Sequence, residues 1–306
     1  MGNWRTDAKI LKISIPLALL LLTAAAPTVA QDFNQVQVES QKIAEGVYML
    51  AGAGGNIGVS VGEDGVILID DQFAPLTDKV KAAVAKISDK PVRFVLNTHW
   101  HRDHTGGNEK MGNAGALIVA HDNVRERMSV EQLIEAFGTR VPPSPEGALP
   151  VVTFNDTVTF HYNGEEIHAF HVTSAHTDGD SIVHFRKANV LHMGDAFFNG
   201  NYPFIDVSTG GSIDGMIAAA DVALALIDAE TKIIVGHGPV ASRDDLVAFR
   251  EMLKTVRDRI APLVEAGQSL EEVVAAQPTK DLDEKWGNSF IKGEKFVSIV
   301  YSSLSE

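Results

Sequence analysis

Four side chains of the types that bind metal ions fall within six positions. They are His99, His101, Asp103 and His104, in the run Thr98-His99-Trp100-His101-Arg102-Asp103-His104-Thr105-Gly106-Gly107. Residues two apart in extended chain point the same way, so His99 and His101 can reach one ion together. As the chain turns, the adjacent Asp103 and His104 can aim at a second position nearby. The chain has eleven histidines, and three of them in this one run is too dense for a polar loop that holds histidine by chance. With no cysteine anywhere, any metal must be held by imidazole and carboxylate. That donor set suits zinc, although iron or manganese can use it. Water bound to such an ion ionises near pH 7, and two ions about 3.5–4 Å apart can hold a nucleophile and polarise a carbonyl. Asp103 can orient that nucleophile as well as bind metal. The expected chemistry is hydrolysis with no serine or cysteine nucleophile. Ser174 has no triad spacing around it and reads as a strand-end residue.

The elements around this run read as strands followed by helices. Residues 46–52, 57–62 and 66–70 form three short strands, with Glu63-Asp64-Gly65 as a hairpin signal between the last two. Residues 75–87 have helical spacing, and 92–96 are a β-rich run leading straight to His99. A strand over 116–120 and a helix over 122–137 follow. Gly106 and Gly107 allow a tight bend into a helix. Residues 141–150, with four prolines and a glycine, read as an exposed loop and a joint between two halves. Strands are then expected at 157–162, 166–172, 181–185 and 190–193, with Asn163-Gly164 turning between the first two. An alanine-rich helix over 213–227, a short buried strand over 232–235, and helices over 243–265, 270–276 and 290–304 complete the chain. The pattern suggests two layers of sheet with helices outside.

The His-x-His-x-Asp-His spacing resembles the signature of the metallo-β-lactamase superfamily. Further elements fit that resemblance in order: Ala175-His176-Thr177, His192-Met193-Gly194-Asp195, and Val235-Gly236-His237-Gly238-Pro239. Asp70, at the end of Ile67-Leu68-Ile69, resembles the early strand-end aspartate that supports the metal loop from behind. The resemblance implies an α/β fold, a four-layer αββα sandwich. It also implies two zinc ions per chain. His99, His101 and His176 would hold one, Asp103, His104 and His237 the other, and Asp195 would bridge them. Two divalent cations outweigh two aspartates and a hydroxide, so the site should attract an anionic group on a substrate.

Other polar residues have a structural and a functional reading each. Asp180 can hydrogen-bond a ligand histidine. In the run 197–204, aromatics could line a pocket mouth, and Asn201 or Tyr202 could donate to an oxyanion, with core packing as the alternative. Ser212 reads as a helix cap. His121 starts a helix or lies at the rim. His161, His168, His171 and His184 read as ordinary sheet residues, His192 as a satisfied core histidine, and Trp100 as facing away from the metals.

The first thirty residues differ from the rest. Arg5, Lys9 and Lys12 precede an apolar run over 13–26, and Thr28-Val29-Ala30 offers small residues before Gln31. This is the pattern of a secretory leader, cut after Ala30, with residues 31–306 as the hydrolase domain in the periplasm or outside the cell. The apolar run is short for a membrane span of about 20 residues. No stable membrane span is expected after cleavage. The chain carries a formal charge of −14, and loss of the basic leader makes it more acidic. Such a surface disfavours nucleic acid, whose binding rests on basic side chains. A small-molecule substrate is expected instead. Export, and the likeness of Thr-His-Trp-His to the zinc-binding run of secreted β-lactamases, favour a β-lactam ring. Opening of a β-lactam ring is therefore the leading expectation, and Asp195, where those enzymes place cysteine or serine, makes a lactonase or thioesterase the runner-up. A short tail after His237 is unlike the larger helical domain of type II glyoxalases. A di-iron redox protein is a third reading, against which stand the full set of histidines and the lack of a flavin domain.

Overall fold

The computed structural model describes residues 1–2 and 32–305. The described residues from 33 to 305 belong to one compact unit. The leader-like segment 3–30 lies outside the described residues. Among the described residues no helix is long and apolar enough to cross a membrane.

The first sheet opens with four antiparallel strands: β1 (Glu39–Ala44), β2 (Val47–Ala51), β3 (Ile57–Gly62) and β4 (Gly65–Ile69). It continues in parallel through β5 (Val92–Leu96) and β6 (Leu117–His121). A separate hairpin of β7 (Gln132–Ile134) and β8 (Thr139–Val141) follows, and β9 (Val152–Phe154) then closes the sheet beside β6. The second sheet runs β10 (Thr157–Tyr162), β11 (Glu165–His171), β12 (Ser181–Phe185), β13 (Val190–His192) and β14 (Lys232–Ile234). Its strands are antiparallel except for the parallel pair β13–β14.

Side-chain alternation explains the layers. In β4, Ile67 and Ile69 pack inward against Ile167, Ala169, Val183 and Phe185 of the second sheet. Val66 and Leu68, on the opposite face, pack against Val80 and Val84 of helix α1 (Thr77–Ala85). Every residue of β4 is buried, as expected of a strand covered on both sides. The outer face of the second sheet, with Ile182, Leu191 and Ile233, packs against buried residues of the helices Ile213–Leu226, Arg243–Glu265 and Gly293–Ser305. The result is helix, sheet, sheet, helix, the four-layer αββα sandwich that the sequence implied.

Most elements fall within a residue or two of expectation, and the long helix Arg243–Glu265 matches at both ends. Three readings are corrected. The helix expected over 122–137 stops at Ser129, because Val130 is extended and the Gln132 amide donates to the Arg127 carbonyl that a further turn would have used. Leu133 and Ile134 then enter the hairpin. The stretch 141–150 is not simply exposed: Val141, Ala148 and Pro150 are buried. Nor is it the joint between halves, because β9 beyond it returns to the first sheet. Gly106 and Gly107 have right-handed helical angles, with φ of −65° and −79°, so conformational freedom is not their role. Space is: a Cβ on Gly106 would lie 2.6 Å from the Arg102 carbonyl oxygen, and one on Gly107 2.7 Å from Asp71 Cγ.

Candidate metal centre

All seven proposed ligands converge at the ends of strands on one rim of the sandwich. His99, His101, Asp103 and His104 follow β5, the last two on the short helix Arg102–Thr105. His176 lies in the loop between β11 and β12, Asp195 in the turn after β13, and His237 just after β14. One suitable atom each of His99, His101 and His176 lie within 4.8 Å of one another, and the same holds for Asp103, His104 and His237. Asp195 sits between the two groups. Its Oδ2 is 3.5 Å from His176 Nε2 and 3.4 Å from His237 Nε2, and its Oδ1 is 3.1 Å from His104 Nε2.

His99, His101, His104 and His176 are each turned by a bond to the ring nitrogen that faces away from the cluster. Thr98 donates its backbone N–H and its hydroxyl to Asp70, at 2.7 and 2.8 Å. Thr98 Oγ1 is then free to accept from His99 Nδ1 at 3.0 Å, leaving the His99 Nε2 lone pair inward. His104 Nδ1 donates to Asp70 Oδ2 at 2.8 Å. His176 Nδ1 donates to the Phe204 carbonyl at 2.8 Å, and His101 Nε2 to Asp206 Oδ2 at 3.0 Å. Bonds of this kind fix ring orientation and tautomer in metal sites.

The donor set fits divalent cations. His99 Nε2 is buried and has no hydrogen-bond partner among the described residues. Burial, with neighbouring His104, pushes the His99 pKa well below its ordinary value, and burial takes His176 down to about 4. Both rings are therefore neutral, with a lone pair to give. Burial opposes charge on Asp195, but His237 and His104 outweigh it and hold that carboxyl well below the usual range. Burial likewise opposes charge on Asp103, yet His104 and His237 bring it down to about 2. The same carboxylates overcome the burial of His237 and raise it to about 10. Two anionic carboxylates packed among histidines are what a pair of cations would neutralise.

Close approach explains the glycines. A Cβ on Gly55 would fall 2.1 Å from His104 Cε1, and one on Gly236 would fall 1.9 Å from Asp195 Oδ1. Gly54, at φ +89°, lies against Asp103 in the same loop.

A family profile described as the Metallo-beta-lactamase superfamily matches residues 51–238, the stretch that carries all seven of these residues. The chain belongs to that superfamily. Among curated proteins, it is 26% identical to a hydroxyacylglutathione hydrolase of Erythrobacter litoralis, over 66% of this chain and 77% of that one. It is 25% identical to another from Polaromonas, over 71% of this chain and 74% of that one. Among solved structures it resembles a metallo-beta-lactamase from Pontibacter korlensis, with a TM-score of 0.57 and 19% identity over 71% of this chain and 99% of that one. It also resembles the DIM-1 metallo-beta-lactamase, with a TM-score of 0.58 and 17% identity over 72% and 99%. These two likenesses are likenesses of fold.

Within this superfamily frame, the remaining residues sort themselves by contact. Asp70 is where the resemblance places it, behind His104 and Thr98. Asp180 does not touch a ligand ring. It accepts from the backbone N–H of His176 and Thr177, at 2.5 and 2.9 Å, and so shapes the loop that carries His176. Tyr202 is buried in the helical core, stacked on Phe296, with its hydroxyl on Asp283 Oδ1 at 3.0 Å. It is not an oxyanion donor. Asn201 donates from its side-chain amide to the carbonyl of Asn199. Trp100, expected to face away, packs among Ala120, Val124 and Met128, but its ring centroid also lies 4.5 Å from that of His101, with the indole N–H on Thr209 Oγ1. His121 caps the helix Asp122–Ser129, and Ser212 caps Ile213–Leu226. His192 is a satisfied core residue, bonded to Asn56 and Gly194.

Sequence reasoning missed Asp206 and the loop 52–56, whereas the run 197–204, whose aromatics the sequence offers as pocket-mouth candidates, does put two rings against the histidines of the cluster. Phe198 stacks on His237 with centroids 5.2 Å apart, and Phe204 lies 5.8 Å from His101. The Gly54-Gly55 pair was a visible signal for the loop. Asp206 gave none, being one acid after an apolar run.

Proposed function

We propose that this protein is a two-zinc hydrolase that opens an activated acyl bond of a small molecule, with a thioester or lactone as the preferred substrate. The observation that carries the reading is the Asp195 carboxylate lying between the two clusters, at 3.5 Å from His176 and 3.4 Å from His237. A carboxylate there can bridge two cations. His99, His101 and His176 would hold one zinc, and Asp103, His104 and His237 the other. A zinc pair supplies a nucleophile from water at neutral pH and an electrophilic contact for the carbonyl oxygen.

The chain's own residues set the direction of approach. Asp103 and His237 are partly exposed while the other five ligands are buried, so substrate enters over that pair. Asp103 remains ionised at neutral pH and can accept a hydrogen bond from the attacking water, holding a lone pair toward the carbonyl carbon. Water adds to that carbon, the acyl–sulfur or acyl–oxygen bond breaks, and the leaving group takes a proton. The hydroxyacylglutathione hydrolases among the relatives support the thioester reading.

Opening of a β-lactam ring is the second reading, favoured by the Thr98-His99-Trp100-His101 run. The leader-like first thirty residues support a site of action outside the cytoplasm. Zinc-loaded protein is assayed on a glutathione thioester, an acyl lactone and a chromogenic cephalosporin. Fastest turnover of the thioester or lactone is expected. Turnover of the cephalosporin alone would replace this reading with the second, and no turnover of any would overturn both.

A further inference from the structure

Three phenylalanines lead from the ligand histidines to the surface. Phe204 is 9% exposed and packs against both His101 and His176, with centroids 5.8 and 5.6 Å away. Phe137, 38% exposed, lies 4.9 Å from Phe204, and Phe290, 75% exposed, lies 5.1 Å from Phe137. Together they make a continuous apolar face beginning at the candidate metal centre. Contiguous exposed aromatic surface costs solvation and marks binding sites more often than chance.

Neither outer ring is there because its segment is loose. Phe290 lies between buried Trp286 and buried Ile291, and the Trp286 carbonyl accepts from the Tyr202 N–H at 2.7 Å. Phe137 ends the single turn Glu135–Phe137 at the tip of the β7–β8 hairpin. Lys295, on the C-terminal helix Gly293–Ser305, donates to the Ala136 carbonyl and places its ammonium 5.1 Å from the Phe137 ring centroid. The Glu135 N–H donates to Ser208 Oγ, which donates to Asp206 Oδ1 at 2.5 Å. The other oxygen of that carboxylate holds His101. The hairpin that presents Phe137 is thus fastened to the group that orients a proposed ligand.

We infer that Phe137, Phe204 and Phe290 form a specificity face that receives a flat apolar substituent, such as an aryl group on the acyl side of the substrate. The inference rests on the hydrolase reading for the reaction but not for the binding. Ligand sites pair a few placed polar groups with apolar walls, and here the centre supplies the former and the three rings the latter. It also gives the short C-terminal tail a part in the site, through Phe290 and Lys295.

The test compares phenylacetyl and acetyl thioesters of one thiol with the zinc-loaded parent and the Phe137→Ala/Phe290→Ala double variant. The ratio of kcat/KM for the phenylacetyl over the acetyl substrate is expected to fall about tenfold in the variant. An unchanged ratio overturns the inference. Calorimetry of phenylacetate and acetate binding gives a second readout that needs no turnover. Tighter binding of phenylacetate, lost in the variant, supports the face even where no thioester is cleaved. Equal binding of the two acids by the parent overturns it. Leu133→Ala on the same hairpin, outside the three ring–ring contacts, controls for loosening of the hairpin, and an equal fall in the ratio there also overturns the inference.

Discussion

Asp206 and His101 are joined at 3.0 Å through the imidazole Nε2, and this bond turns Nδ1 to within 2.8 Å of His176 Nε2. The inward nitrogen of His101 is thereby its Nδ1, whereas His99 and His176 turn Nε2 inward. Asp206 is buried, and its other oxygen is taken by Ser208.

Asp206→Ala should therefore weaken binding of one zinc about 10- to 100-fold, the usual cost of removing a ligand's hydrogen-bond partner. Competition with a chromophoric chelator measures this. The backbone carbonyl at 206 keeps its bonds from Thr209 and Gly211 in the variant, so the thermal transition of the metal-free protein should stay cooperative.

Tyr202 lies in the helical core, with its hydroxyl shared between Asp283 and the Thr279 carbonyl. Tyr202→Phe should lower stability by about 1 kcal/mol, the net worth of a typical hydrogen bond. Turnover should be retained within about twofold. Denaturant unfolding and steady-state kinetics on one preparation check both. A large fall in kcat with unchanged stability would restore the oxyanion role.

Metal uptake should release protons. Without metal, His237 is raised to about 10, chiefly because Asp195 and Asp103 outweigh the effect of its burial. At pH 8 it is protonated, and a cation must displace that proton. Zinc affinity should rise as pH climbs toward 10 and fall on acidification. The same shift has a stability sign. A raised histidine pKa contributes stability that is complete below about 6.5, its unfolded value, and is lost as pH rises through about 10. Metal-free protein should therefore lose stability between about pH 7 and pH 10. Titration of zinc at pH 8 in buffers of different ionisation enthalpy counts the protons, and thermal melts of metal-free protein across that range check the second part.

What the sequence made legible follows from periodicity and spacing. The unbroken apolar run 66–69 and the density of histidines at 99–104 are local patterns, and both survive folding unchanged. The helix expected over 122–137 failed because Gln132, a residue with no turn propensity, satisfies the Arg127 carbonyl and ends it. That bond depends on where the chain goes next. Asp206 stayed invisible for the same reason, since it meets His101 across 105 positions. Tyr202 looked like a pocket residue because it follows Asp195 closely. In fact the chain turns at Gly200, where φ is +75°, and carries Tyr202 into the helical layer. The sequence shows glycine at 55 and 236, but the reason for it is legible only in three dimensions, because a Cβ there would lie 2.1 Å from His104 and 1.9 Å from Asp195.

The central claim is that Asp195 joins two cations in one site, and metal counting tests it most directly. Protein loaded with zinc and dialysed against metal-free buffer should retain two zinc ions per chain by elemental analysis. Asp195→Ala, treated in the same way, should retain one or fewer while still folding. Retention of a single zinc by the parent, or of two by the variant, would contradict the account.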